Sequence, residues 1–144
     1  MSFNEVPIAE NNRDEVLKII HSDLFKKIFL NNVITNVIIF GSLASGIFNE
    51  ESDIDIAVIS EDKISFNTEL NITLELEELL GRNIDFIDIN DENINNIIKI
   101  EALNSEEVII KDNLLDEALK SYDRLYRENE EFWYILDKVV LDNE

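Results

Sequence analysis

The sequence predicts an α+β fold: a mixed β-sheet of about four strands, helices packed on one side of it, and a long helix at the C-terminal end. Three observations carry that expectation. Short apolar runs of strand length recur at 37–40, 54–58, 84–89 and 108–110. Longer stretches with helical spacing separate or flank them, at 12–31, 66–80, 91–103 and 113–140. The early order is helix, strand, turn, strand, helix, strand, which lacks the strict strand–helix alternation of a doubly wound sheet. With 144 residues and no linker-like segment, one domain over 1–144 is expected.

Each element has its own local reason. Residues 1–10 show no period and hold the sole proline, Pro7, so they are predicted to be a loose arm. Asn12 and Glu15 have capping-box spacing, and Val16, Leu17, Ile20, Leu24 and Ile28 follow at helical intervals. His21-Ser22 marks a break between two shorter helices, and Asn31-Asn32 ends the second. His21 is the only histidine; on a helix surface, far ahead of any motif, it reads as structural rather than catalytic. Val37 to Phe40 and Ile54 to Val58 are strands rich in β-branched residues, and Glu61-Asp62-Lys63 is a loop. Leu70, Leu74, Leu76 and Leu80 lie in the helix over 66–80, with Gly81 in its terminating position and Arg82 just beyond. Residues 91–103 suit a short helix with an acidic first turn, and 108–110 a strand at the sheet edge, guarded by Glu107 and Lys111.

The last segment, 113 to about 140, is a long amphipathic helix. Leu115, Leu119, Tyr122, Tyr126, Trp133, Leu136 and Val140 repeat at steps of three, four and seven. A face that broad must be covered. Packing on its own domain is the plain reading; the functional one gives the part near Trp133 to another helical protein, since aromatics concentrate at interfaces.

Composition excludes several classes of function. Thirty-two acids against twelve bases leave a formal charge of −20. Such a surface repels nucleic acid, so direct nucleic-acid binding is disfavoured. A basic protein partner is favoured, because opposite fields speed docking; the plainer reading is that acidity keeps the chain soluble. There is no cysteine, hence no disulfide and no thiolate metal site. No run of about eighteen apolar residues and no leader-like start are present, so the expectation is no membrane span and a cytoplasmic location.

The chemistry is concentrated in residues 37–60, V-I-I-F-G-S-L-A-S-G-I-F-N-E-E-S-D-I-D-I-A-V-I-S. Two strand-like runs bracket a turn that holds two of the three glycines. Gly41 lets backbone approach a ligand closely, Ser42 adds a hydroxyl donor, and a short helix can start there. Asp53 and Asp55 are one residue apart, so on an extended strand they project from the same face while Ile54, Ile56 and Val58 enter a core. Two carboxylates that close repel each other unless a cation intervenes. A hard divalent ion, Mg2+ or Mn2+, suits them. A third acid is available in I-D-F-I-D-I at 84–89: Asp85 and Asp88 differ by three, face opposite sides of a strand, and only one can join the pair.

Gly41-Ser42, ten intervening residues, then Asp53 and Asp55 together resemble the motif of the nucleotidyltransferase superfamily related to DNA polymerase beta. The short chain is similar to its minimal members, the MNT proteins paired with HEPN toxins. The resemblance implies that Gly41 and Ser42 contact nucleotide phosphates. It further implies that Asp53 and Asp55 hold two metal ions, and that a strand-opening acid, Asp85 in preference to Asp88, is the third carboxylate. Asp88 would then be solvated or stand behind the pair.

The implied reaction is transfer of AMP from ATP to a hydroxyl, with Asp53, Asp55 and Asp85 as catalytic carboxylates. The implied acceptor is a tyrosine of a HEPN ribonuclease toxin, with this chain as the antitoxin. One position departs from the pattern: Ser45 stands where many minimal members have arginine, leaving Lys63, Arg82 and Lys99 as candidate replacements. Two other readings are an antibiotic nucleotidyltransferase, disfavoured because its substrate pocket usually needs an added helical domain, and a non-catalytic acidic protein that inhibits a basic partner by occupying it.

Overall fold

The computed structural model describes residues 13–128. The arm at 1–10, the cap residue Asn12, and Trp133, Leu136 and Val140 of the C-terminal stripe lie outside the described residues. In chain order the elements are α1 (Arg13–Ile20), α2 (Asp23–Leu30), β1 (Val37–Phe40), α3 (Ser42–Ser45), β2 (Ile54–Val58), α4 (Phe66–Leu80), β3 (Ile84–Asp88), α5 (Asn96–Leu103), β4 (Glu107–Ile110) and α6 (Asn113–Glu128).

The strands form one mixed sheet in the order β3-β2-β1-β4. β1 runs antiparallel to both neighbours, whereas β2 and β3 are parallel. Alternation along β2 decides which side each residue serves. Ile54, Ile56 and Val58 join one core with Val37 and Ile39 of β1, Val16 and Ile20 of α1, Phe25 and Phe29 of α2, and Ile72, Leu76 and Leu80 of α4. Ala57 turns to the opposite side with Ile38, Phe40 and Ile87.

That second side corrects one expectation, since helices are not confined to a single face. Ala102 and Leu103 of α5 and Leu115 of α6 pack over Ile38, Phe40, Ala57 and Ile87. β1 is apolar at all four positions and buried at all four, so both of its faces need a cover.

Helix ends follow local chemistry. The break at His21-Ser22 is real: the Ser22 side chain accepts from Phe25 N and opens α2. His21 Nε2 lies 2.7 Å from Glu107 Oε2, a structural tie to β4. Ser65 caps α4 and Gly81 closes it with a left-handed φ of 67°. α5 starts later than its acidic first turn predicts, because the Asn95 side chain accepts from Ile97 N and the residues before it form turns instead.

α2 ends in a paired closure, Ile34 N donating to Phe29 O and Val33 N to Leu30 O, which forces Val33 to a φ of 59°. A polar knot between buried Asn36 and exposed Asp112 follows. Asn36 Nδ2 donates to Ile59 O (3.0 Å) and Asp112 Oδ1 (2.7 Å), while Asp112 N donates back to Asn36 Oδ1 (2.7 Å). Asp112 also accepts from Leu114 N, so the Asn36 and Asp112 side chains together join the entry of β1, the exit of β2 and the start of α6. No helix among the described residues is long and apolar enough to cross a membrane.

Candidate active site

The site begins where β1 stops. Gly41 has φ 74° and ψ −149°, a conformation that L side chains rarely adopt, and it turns the chain directly into α3. Ser45 N donates to Gly41 O and Gly46 N to Ser42 O, which closes this single turn of helix. Arg13 of α1 reaches across to it, Nε donating to Leu43 O at 2.8 Å and Nη2 to Ala44 O at 3.5 Å. A cation on those carbonyl groups fixes the short helix against the α1 layer.

Strand register sets two of the acids, Asp55 and Asp85, side by side. Phe40 is the antiparallel partner of Asp55, and Asp55 is the parallel partner of Asp85. Asp55 is half-buried; Asp53 and Asp85 are exposed. The Asp55 carboxyl is pushed up from 3.8 to about 7, first by burial, then by a hydrogen bond with Asp85, and then by the charges of Asp85, Glu101 and Asp53. Two carboxyl groups can hydrogen-bond to each other only if one carries a proton.

Each candidate from the sequence has a definite position. Gly41 lies directly against Asp55, with no room for a side chain between them. Ser42 is the first residue of α3. Asp53, Asp55 and Asp85 are the residues that could hold a divalent ion, all through hard oxygen donors. As they stand they do not converge on a single point, and among the described residues no group of three or more acids, histidines or cysteines is arranged to hold a metal.

Asp88 departs from its expectation. It is neither solvated nor behind the acid pair: only 2% exposed, it accepts from Ile64 N (2.7 Å) and Asn90 N (2.9 Å) at the far end of β3. It ties the exit of that strand to the loop before α4.

Nor does any proposed replacement for the missing arginine lie free beside Asp55. Arg82 is buried, with Nη1 donating to Asn49 O (2.7 Å) and Ser52 O (3.0 Å) and its guanidinium 4.1 Å above the Phe48 ring. It therefore braces the loop that leads into Asp53. Lys63 precedes α4 and donates to Ile64 O. Lys99 lines a cavity with Ile59 and Ile89, at the other end of the parallel strands.

Two openings flank the acids. One, of about 390 Å³, is lined by Glu50, Glu51, Ser52, Asp53, Glu77, Gly81, Arg82 and Asn83. The other, of about 300 Å³, lies between the glycine turn and the α5–β4 connection and includes Gly41, Ala44, Ser45, Glu101 and Ser105. Glu101 and Arg13 escape sequence reasoning altogether. Glu101 reaches the site from a helix late in the chain, and Arg13 acts on carbonyl groups thirty residues away, so no local pattern marks either.

A mixed sheet that sets a glycine turn against acids of two neighbouring parallel strands has the architecture of a nucleotide-handling transferase domain. The chain belongs to the polymerase beta nucleotidyltransferase family, whose model matches residues 24–115. Among curated proteins none matches the chain. Solved structures similar to it include a toxin-antitoxin with AMP-PNP, at a TM-score of 0.54 and 19% identity, covering 90% of this chain and 98% of that one. Another is a complex from Shewanella oneidensis, a tri-AMPylated HEPN toxin with its MNT antitoxin; the TM-score is 0.55 at 17% identity, covering 84% of this chain and 97% of that one. At these identities the likeness establishes the fold.

Proposed function

We propose that this chain transfers AMP from ATP to a hydroxyl of a partner protein, as the MNT antitoxin of a HEPN/MNT pair in the cytoplasm. The observation that carries the reading is the register of Asp55, which pairs with Asp85 across β2 and β3 and meets Gly41 at the end of β1. Family membership supports nucleotidyl transfer in general. AMP-PNP and an AMPylated HEPN toxin in the similar structures favour ATP as donor and a protein as acceptor.

In this reading the turn at Gly41 brings the backbone close to the polyphosphate and Ser42 donates its hydroxyl to it. Asp53, Asp55 and Asp85 would hold Mg2+ or Mn2+, two ions, whose chemistry when bound is to neutralise phosphate charge and acidify the acceptor hydroxyl. The donor set fits, because burial first, and then the neighbouring carboxyl groups, push Asp55 up to about 7, and a divalent cation would offset both costs of its charged form. The acceptor oxygen forms a bond to the α-phosphorus, the bond to pyrophosphate breaks, and the hydroxyl proton goes to Asp85. Positioning dominates in such a transfer.

The test is incubation of the chain and its co-purified partner with α-labelled ATP and Mg2+. Label on the partner, lost in Asp53→Ala and Asp55→Ala while circular dichroism stays native, supports transfer; label retained in both variants overturns the assignment. A stable, unlabelled complex would favour the second reading, an acidic inhibitor without catalysis. That reading draws on the net charge of −20 and on the lack of a converged three-ligand cluster among the described residues.

A further inference from the structure

α4 carries apolar side chains on two separate strips. Ile72, Leu76 and Leu80 enter the core. Phe66, Leu70 and Leu74 do not: they are 73%, 44% and 55% exposed. Spaced by four, they form one line on the helix surface about 12 Å long. The same line continues through Glu77 to Gly81, and both of these line the opening beside Asp53 together with Glu50 and Glu51. β3, which α4 accompanies, is an outer strand of the sheet, so no further strand of the described chain shelters this side.

An apolar strip of this kind costs solvation free energy when left in water, and large aromatic and leucine side chains in a row mark docking surfaces. Its charge selects the occupant. The strip leads into an opening lined by four acids, Glu50, Glu51, Asp53 and Glu77, against one buried cation, Arg82, on a chain of net charge −20, which opposes association with a second copy and attracts a cation. We propose that the Phe66-Leu70-Leu74 strip docks a helix of a partner protein that presents apolar side chains at matching intervals and Lys or Arg at the end that enters the Glu50-Glu51-Glu77 opening. This is the helix-on-helix mode of recognition, with aromatic and leucine anchors and a charged register mark. It holds whether or not the chain transfers a nucleotide, and its test omits ATP.

The probe is a fluorescent synthetic helix with leucine at i, i+4 and i+8 and lysine elsewhere, titrated against the full-length protein and followed by anisotropy. Expected is saturable, salt-sensitive binding that weakens at least tenfold in the Leu70→Ser/Leu74→Ser double variant. It should stay unchanged in Leu119→Ser, which alters an exposed apolar residue of α6. Glu50→Gln/Glu51→Gln/Glu77→Gln should reduce the salt dependence while the apolar strip stays intact. The same peptide with serine for leucine should lose the discrimination between wild type and double variant. Equal binding by wild type and double variant overturns the proposal. So does a wild-type dimer in sedimentation that Leu74→Ser dissociates, since the strip would then belong to a second copy.

Discussion

Gly41 and Asp55 approach so closely that no side chain fits between them: a Cβ on Gly41 would lie 2.8 Å from the Asp55 carboxyl carbon and nearer still to Oδ2. The glycine is thus required twice, for its φ of 74° and for the space it leaves to an acid of the next strand. Gly41→Ala should destabilise the fold by about 2–3 kcal/mol, combining left-handed strain with displacement of Asp55. Gly46→Ala shares the positive φ but meets nothing within 4 Å, so its cost should stay near 1 kcal/mol. Urea denaturation of the two variants measures the difference, and transfer should fall about a hundredfold in Gly41→Ala alone.

The raised carboxyl of Asp55 makes stability depend on pH in a definite direction. Its unfolded value is 3.8 and its folded value about 7, so between them the native state binds more protons than the unfolded chain. Its contribution is therefore complete below about pH 4 and is lost as pH rises through 7. Because Asp55 is half-exposed, solvent screening leaves an effect of about 1–2 kcal/mol. Thermal melts from pH 4 to 8 should show a decline in the wild type that is weaker in Asp55→Asn. At pH 8, MgCl2 should raise the wild-type Tm by a few degrees and that of Asp55→Asn by less.

Asp85 and Asp88 share a strand and should respond oppositely. Asp88→Asn sets an amide against the Ile64 or Asn90 N–H at a buried position and should cost about 2 kcal/mol. Asp85→Asn relieves a carboxyl contact in an exposed position, so stability should hold or rise while transfer falls. Chemical denaturation paired with the labelling assay separates the two roles.

Arg82→Met keeps much of the bulk over Phe48 but leaves Asn49 O and Ser52 O without the guanidinium. A loss of about 1–2 kcal/mol is expected. Since this loop leads directly into Asp53, the substitution should also lower the transfer rate, whereas Arg82→Lys should recover part of it by donating to one carbonyl.

Val33 closes α2 at a φ of 59°, in a conformation unfavourable for a β-branched residue, with its side chain 78% exposed. Val33→Gly should therefore stabilise the protein by about 1 kcal/mol, the relief of strain exceeding the added freedom of the unfolded chain. The measurement is a rise in Tm with no change in transfer.

Much of this molecule follows from local rules that need no tertiary structure. Period-two alternation turns Ile54, Ile56 and Val58 of β2 to one core and Ala57 to the other side, and Ser65 and Gly81 bound α4 through their own hydrogen-bonding and backbone preferences. The same alternation sends Asp85 and Asp88 to opposite sides of β3, but it cannot say which one meets Asp55. That was decided by β3 lying parallel beside β2 in a register that pairs Asp55 with Asp85. Only the tertiary structure brought Arg13 to α3, Glu101 to the acids, Asp112 to Asn36 and α5 over the second face of the sheet. The reason is physical: propensity and period act over a few residues, whereas these contacts join residues 30 to 76 positions apart or arise from burial shared among several elements.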